Sequence, residues 1–199
     1  MAQRFRELTQ TPDVQAAQAR YYRRSQQQVP ASGPDRLGPD EVNFIASMDS
    51  FYLASVNQDG WPYLQHRGGP KGFLKVLGPS ELGFADLKGN RQLLTTGNVT
   101  RDDRVCLFLM SYPHQARLKL LGHAEILAVR QEPALARALA PPGLEASIER
   151  LFRIRVEGFD WNCPQYITPR FTEAEVNQTM QPLQDRIAEL EAELGRLKG

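Results

Sequence analysis

Hydrophobic residues recur at every second position through much of the chain between residues 51 and 157. The alternation is clearest near its end, where Phe152, Ile154 and Val156 alternate with charged residues. This period is typical of strands with one buried face. An Asp-Gly pair at residues 59–60 joins two such segments and indicates a β-hairpin. The pattern predicts about six short strands in a small antiparallel barrel, which is a mainly β fold of the α+β class.

Helical signals surround these strands. Thr11 followed by Pro12 predicts a capped helix start in the N-terminal region. Pro39 begins a second short helix, and Pro133 begins a third. The polar segment at residues 89–98 is predicted to form a helical turn or short helix closed by its Gly-Asn pair.

The C-terminal segment follows a third period. Its hydrophobic residues are spaced alternately four and three apart, which is a heptad pattern over about three heptads. They are Val176, Met180, Leu183, Ile187, Leu190, Leu194 and Leu197. Pro182 lies inside the repeat, where it predicts a kink or a restart of the helix. The repeat is typical of an amphipathic helix lying on its own domain or of a coiled coil, and both interpretations stay open.

These periods divide the chain into three parts. Residues 1–38 are predicted to be an N-terminal helical extension and loop, residues 39–170 the barrel domain, and residues 171–199 a C-terminal amphipathic or coiled-coil-like helix. The composition of the 199 residues, 41% hydrophobic and 24% charged, is that of a globular protein with a real core.

Charge and cysteine content exclude several classes of function. The formal net charge of +1 provides no global field for nucleic acid or an anionic membrane, so neither partner is expected. No apolar run approaches the length of a membrane span. Two cysteines, Cys106 and Cys163, are compatible with a reduced, cytoplasmic protein. The three histidines have no paired spacing, so no metal site is predicted.

The segment at residues 64–77 combines cationic side chains with glycines, which have no side chain to cover the backbone. His66 and Arg67 precede Gly68 and Gly69 at a predicted bend. Glycines let backbone N–H groups approach a ligand, and an arginine can bind a phosphate through two hydrogen bonds. A hairpin with solvated charges is the alternative.

A second candidate is the polar segment at residues 84–98. Asn90 and Arg91 stand near a predicted helix start, where free N–H groups and the helix dipole favour an anion. Thr96 and Asn98 add small hydrogen-bonding groups. Ordinary helix capping would use the same residues.

Two further candidates follow. Arg117 and Lys119 are two apart on a predicted strand and therefore point the same way. Like charges side by side repel unless an anion or a carboxylate lies between them, although a solvated edge is the alternative. Trp161 has a ring that can close over a flat ligand, with Asn162 beside it, but tryptophan is more often a packing residue.

The order and spacing of these four segments resemble the pyridoxamine 5′-phosphate oxidase-like, FMN-binding split-barrel proteins over about residues 40–170. The resemblance is carried by "HRGGPKGFL", "FADLKGNRQLLTTGN", "RLKLLGHAEI" and "FDWNCPQYITPR". "HRGG" and "WNCPQ" are similar to a flavin-nucleotide-binding subgroup. The resemblance implies a six-stranded antiparallel split barrel with peripheral helices, and a homodimer with FMN in two equivalent sites at the interface.

The resemblance also implies which residues contact the cofactor. They are His66, Arg67, Gly68, Gly69, Phe84, Ala85, Asn90, Arg91, Thr96, Asn98, Arg117, Lys119 and Trp161. Asn90 and Arg91 match the pair that holds the FMN phosphate. Arg117 and Trp161 match positions that the other subunit contributes. No catalytic acid or base is assigned, because the flavin carries the redox chemistry.

The implied function is an FMN-dependent oxidoreductase that acts on an unidentified small substrate by hydride transfer, with NAD(P)H as a candidate donor. The alternative is a flavin-binding or partner-binding homodimer without turnover, in which FMN is structural. Pyridoxamine phosphate oxidation itself is not expected, because residues 170–199 form the heptad helix where true oxidases carry an Arg-x-His-type motif. Asn90 also stands where the family has a basic residue.

Overall fold

The computed structural model describes residues 3–26 and 30–198, and these contain seven strands and six α-helices. The strands are β1 (Ser50–Val56), β2 (Pro62–Gly68), β3 (Lys75–Gly78), β4 (Glu81–Leu87), β5 (Arg104–Ser111), β6 (Ala116–Leu127) and β7 (Ile148–Trp161). The helices are α1 (Gln3–Thr9), α2 (Pro12–Tyr22), α3 (Pro39–Ser47), α4 (Leu94–Arg101), α5 (Pro133–Leu139) and α6 (Glu173–Lys198). None of the helices in the described ranges is both long and apolar enough to cross a membrane.

All seven strands belong to one sheet, in the order β2-β1-β5-β6-β7-β4-β3. β1 pairs antiparallel with β2 and β5, and β7 pairs antiparallel with β4 and β6. The prediction of a mainly antiparallel fold with helices is confirmed. The predicted number of six strands is wrong, because the described residues form seven. The sheet of the predicted barrel is also not closed, since among these residues it ends at the edge strands β2 and β3. β3 is a four-residue edge strand whose residues are all partly buried.

Aromatic side chains connect strands that the backbone does not pair. The rings of Phe51 on β1 and Phe84 on β4 have centroids 5.3 Å apart, although these strands are four places apart in the sheet. Phe84 stacks on Phe152 of β7 with centroids 4.7 Å apart. All three side chains are at most 1% exposed, and burying each contributes about 1.5–3 kcal/mol. The sheet is therefore rolled around its core.

A glycine allows β6 and β7 to bend together. The pairing register of the two strands shifts between Leu121 and Gly122. A Cβ atom on Gly122 would lie 2.5 Å from the carbonyl oxygen of Arg155, so any larger residue would push the strands apart. This irregularity bends β7, which pairs with β6 along one edge and with β4 along the other.

The N-terminal helices are tied by specific caps. Thr11 accepts a hydrogen bond from the Val14 N–H at the start of α2, as predicted. Asp35 caps α1 from a distant part of the chain, because its carboxylate accepts hydrogen bonds from the backbone N–H groups of Arg4 and Phe5, both at 3.0 Å.

The chain divides into two compact units. One comprises the described residues up to 110 together with 117–163, and the other comprises residues 111–116 and 164–198. The second unit contains α6, which is one helix from Glu173 to Lys198, so the helix does not restart at Pro182. Its Thr172 and Glu175 form a reciprocal cap, in which the Thr172 N–H donates to Glu175 Oε2 at 2.8 Å.

Candidate functional site

A pocket of about 170 Å³ lies where β2, β4, β7 and the start of α4 meet. Five charged side chains line it: Arg67, Asp86, Arg91, Glu149 and Arg150. We call this site the arginine pocket. Its other lining residues are five small or polar ones, Gln65, Gly89, Asn90, Thr95 and Thr96, and three leucines, Leu87, Leu93 and Leu94.

Arg67 is held firmly at the base of the arginine pocket. Its guanidinium forms an ion pair with Asp86 and lies over the rings of Phe84 and Phe152, 5.7 and 5.4 Å from their centroids. The Nε atom of Arg67 is buried and has no hydrogen-bond partner among the described residues. A buried donor without a partner costs free energy.

The charges of the arginine pocket form a chain of alternating sign. Asp86 also pairs with Arg150 Nε at 3.1 Å, Arg150 donates to Glu149 Oε2 at 2.5 Å, and Glu149 Oε1 accepts from Arg91 Nε at 3.2 Å. The hydrogen bond from Arg150, with help from the charge of Arg91, lowers the pKa of Glu149 below its usual value. Three arginines face two carboxylates, so the arginine pocket carries a formal charge of +1.

Helix α4 directs an uncapped N-terminus at the arginine pocket. It begins at Leu94, and its N-cap residue Leu93 provides no side-chain hydrogen bond. The first helical N–H groups therefore lack the partners that a cap normally supplies. Leu94, Thr95 and Thr96 of this first turn line the pocket, where free N–H groups and the helix dipole favour an anion.

The helix boundaries differ from the sequence prediction. Asn90 and Arg91 precede α4 in a loop, and Gly97 and Asn98 lie inside the helix instead of closing it. The reason is local: Arg91 and Leu93 both adopt positive φ angles, of 60° and 57°, and this left-handed conformation delays the helix by several residues. The Asn90 side chain accepts a hydrogen bond from the Gln92 N–H at 3.1 Å and shapes the same loop.

Several predicted residues lie outside the arginine pocket. Side chains alternate along β2, so His66 points away from Arg67 and contacts the Tyr52 ring with centroids 5.6 Å apart. A Cβ atom on Gly69 would lie 2.7 Å from Phe73 Cγ, so this glycine makes room for an aromatic ring. The residues of the prediction that do not line the pocket are His66, Gly68, Gly69, Phe84, Ala85, Asn98, Arg117, Lys119 and Trp161.

Arg117, Lys119 and Trp161 lie at the end of the β6–β7 ladder, which we call the tryptophan edge. Because Leu118 pairs with Trp161, the Trp161 side chain lies on the face of the sheet opposite Arg117 and Lys119. The Trp161 Nε1–H donates to Glu41 Oε1 at 2.6 Å, and Lys119 pairs with Asp160 at 3.2 Å between Nζ and Oδ2. A carboxylate is therefore present beside Lys119, whereas Arg117 is not paired with Asp160 among the described contacts. Arg117 donates to the Cys163 carbonyl at 3.0 Å, while its Nε is buried without a partner among the described residues.

Strand β7 separates the two groups. Asp86 pairs with Arg150 near its start, whereas Leu118 pairs with Trp161 at its end. Eleven residues of extended strand span about 36 Å, less whatever the bend removes. Within one chain, the structure therefore does not bring the tryptophan edge to the arginine pocket.

Sequence reasoning missed Asp86, Glu149 and Arg150. Asp86 did carry a signal, since it is the one charged residue inside the apolar stretch of β4 and is only 6% exposed. A charge in such a position is almost always paired. Glu149 and Arg150 precede the alternating segment that predicted this strand, and only the fold places them beside Asp86 and Arg91.

A larger cavity of about 670 Å³ lies along β6 and β7, and most of its charged residues pair with one another. His123 Nδ1 lies 2.7 Å from Asp103 Oδ1, and Arg153 Nη2 lies 2.7 Å from Glu125 Oε2. Among residues 3–26 and 30–198, no group of three or more His, Cys, Asp and Glu side chains is arranged to hold a metal ion.

Comparison with known proteins places this geometry in context. The family model of pyridoxamine 5′-phosphate oxidase matches residues 38–157. No curated protein sequence gives a significant match. The fold is similar to that of a candidate pyridoxamine 5′-phosphate oxidase from Lactobacillus delbrueckii, with a TM-score of 0.50, 21% identity, and coverage of 63% of this chain and 94% of that one.

Two other solved structures give comparable values. HupZ from Group A Streptococcus has a TM-score of 0.49 and 12% identity, covering 68% of this chain and 99% of that one. General stress protein 26 from Bacillus anthracis has a TM-score of 0.47 and 15% identity, covering 67% of this chain and 95% of that one.

Proposed function

The chain belongs to the pyridoxamine 5′-phosphate oxidase family, and on that premise we propose that it is an FMN-binding oxidoreductase. The observation that carries the proposal is the arginine pocket, where three arginines meet an uncapped helix start. The bound flavin would supply hydride transfer to or from a small substrate, with NAD(P)H as a candidate donor. The residues of this chain bind and orient it.

The donor set of the arginine pocket fits a phosphate group. A phosphate monoester carries between one and two negative charges at neutral pH. The pocket offers a formal charge of +1 and the free N–H groups of the first turn of α4. Arg91 is 64% exposed at the rim and can turn toward an entering anion. Thr96 adds a hydroxyl group.

The size of the arginine pocket restricts which part of FMN it takes. At about 170 Å³ it is smaller than whole small-molecule sites, which occupy roughly 300–1,000 Å³. The phosphate end therefore enters the pocket, while the ring system lies outside it. The flat ring system, which lies outside the arginine pocket, needs a further protein surface to pack against, and we call this surface the second wall.

We further propose that a second copy of the chain provides this wall. Trp161, 37% exposed, offers an aromatic face, but the length of β7 separates it from the arginine pocket of its own chain. A twofold dimer would create two equivalent sites, each with an arginine pocket from one chain and a tryptophan edge from the other.

Binding of FMN and riboflavin tests the cofactor proposal, because the two differ only in the phosphate. We expect FMN to bind at least about 100-fold more tightly, since charge-assisted hydrogen bonds are worth roughly 1.5–3 kcal/mol each. Arg91→Ala should reduce this preference about tenfold. Arg104→Ala, which removes an equally exposed arginine paired with Asp102, should leave it unchanged. Equal affinity for both flavins would overturn the assignment of the pocket.

Turnover is tested separately. Anaerobic addition of NADH or NADPH to the FMN-loaded protein should bleach the flavin absorbance if the protein is an oxidoreductase. Flavin that stays oxidised with both donors and with candidate small-molecule reductants would support the alternative in which FMN is structural.

A further inference from the structure

Helix α6 carries an apolar stripe along its whole length. Its members are Val176, Met180, Leu183, Ile187, Leu190, Leu194 and Leu197. Their side chains are 41–78% exposed in the single chain. Most helical stability in proteins comes from burying such a face, so a helix of 26 residues with an exposed stripe calls for a partner.

The stripe has the residue types of a two-stranded coiled coil. In heptad notation Met180, Ile187 and Leu194 occupy a positions, and the d positions at 183, 190 and 197 are all leucine. Of the three a residues only Ile187 is β-branched, and it lies between the d leucines 183 and 190, a combination that favours parallel dimers. Pro182 falls at a c position, on the outer face, so its missing N–H does not interrupt the stripe.

The charged residues at the e and g positions, on either side of the apolar stripe, indicate which partner covers it. In a parallel, in-register pair, each g residue faces the e residue five positions later in the partner. Arg186 at g would face Glu191 at e, and symmetry gives this attractive pair twice. The preceding pair, Thr179 with Gln184, is uncharged. No like charges meet between residues 176 and 197 in this register.

We propose that α6 is a self-association element, which pairs in parallel with the α6 of a second copy of this chain. This interaction surface is distinct from the cofactor site and does not depend on flavin binding. Three heptads are marginal for an isolated coil, so the pairing needs a full chain that already brings two copies together or a high protein concentration.

Cysteine cross-linking in the full chain tests the partner and its direction. In a Cys163→Ser background, Leu183→Cys and Leu190→Cys are made separately and oxidised in a glutathione buffer. We expect each variant to form a disulfide with its own copy, because d residues of a parallel pair face each other. Ala192→Cys, at an outer f position of the same helix, is the matched control and should stay reduced.

The possible outcomes separate the alternatives. An antiparallel pair brings at most one of the two positions, 183 or 190, against itself, so cross-linking at only one would overturn the parallel arrangement. Failure at both positions, with the helix still present by circular dichroism, would mean that another protein or nothing covers the stripe.

Charge reversal tests the pair that sets the register. Arg186→Glu should lower the cross-linked fraction of Leu190→Cys about tenfold, and adding Glu191→Lys should restore it. Residues five apart do not contact each other within one helix, so a rescue must act between chains. In the single chain Arg186 forms an ion pair with Glu189 at 2.8 Å. The single variant and the double variant both lose this ion pair, so it does not contribute to the difference between them. A double variant no better than Arg186→Glu would refute the proposal.

Discussion

Arg67 on β2 is ion-paired with Asp86 on β4, although these strands stand five places apart in the sheet. The pair connects the two sides of the rolled sheet where no backbone ladder does. It also forms the base of the arginine pocket. A single interaction therefore supports both the shape of the fold and the charge of its candidate cofactor site.

Asp86→Asn should destabilise the protein by about 3 kcal/mol, because it leaves the half-buried guanidiniums of Arg67 and Arg150 without their shared carboxylate. Urea unfolding measures the loss. The matched control is Asp160→Asn, which breaks the more exposed pair with Lys119 and should cost less than about 1 kcal/mol. Similar losses for the two variants would contradict the structural role of the Arg67–Asp86 pair.

Glu149→Gln should strengthen FMN binding several-fold, since it raises the formal charge of the arginine pocket and releases Arg91 and Arg150 toward the phosphate. Riboflavin affinity should not change. Calorimetric titration with both flavins measures the difference, and weaker FMN binding would indicate that Glu149 orients the arginines more than it neutralises them.

The pH dependence of FMN affinity should follow the protonation of the FMN phosphate. The pKa of Glu149 is lowered, chiefly by the hydrogen bond from Arg150, so this carboxylate stays ionised from pH 8 to 5. A phosphate monoester gains a proton near pH 6. FMN affinity should therefore fall below about pH 6 while riboflavin affinity stays constant. Affinity that rises between pH 6 and 5 would show instead that Glu149 is being protonated in that range.

Mixing two defective variants should restore binding if the site is shared between chains. Arg91→Glu impairs the arginine pocket and Trp161→Ala impairs the tryptophan edge. In a mixed dimer one site carries both changes and the other carries neither. With random exchange of equal amounts, about one quarter of the sites should regain wild-type FMN affinity. If FMN affinity does not recover although mass measurements show subunit exchange, the arginine pocket and the tryptophan edge do not form one shared site.

Asp35→Ala should release helix α1, because the Asp35 carboxylate accepts hydrogen bonds from the N–H groups of Arg4, Phe5 and Phe159. We expect faster trypsin cleavage after Arg4 and Arg6 and a loss of about 1–2 kcal/mol. Asp13→Ala, an exposed acidic residue in the first turn of α2, is the control and should leave the cleavage rate unchanged. Equal cleavage rates for both variants would mean that packing alone holds α1.

Local patterns predicted most of the elements. Period-two alternation identified the hairpin of β1 and β2 and the later strands, because a strand with one buried face must alternate. Thr11 and Pro39 marked helix starts through cap chemistry that acts within a few residues. The start of α4 was misplaced because the left-handed conformations of Arg91 and Leu93 leave no signal in residue type.

Two features were thus determined by the sequence itself: the kind of each element, and the family that its ordered motifs "HRGG", "GNRQ", "RLK" and "WNCPQ" resemble. Tertiary structure decided which motifs meet. It joined Arg67 and Arg91 through Asp86, Arg150 and Glu149, and it left Trp161 at the far end of β7. The physical reason is that alternation specifies which face a side chain occupies, whereas the roll of the sheet specifies its distant neighbours.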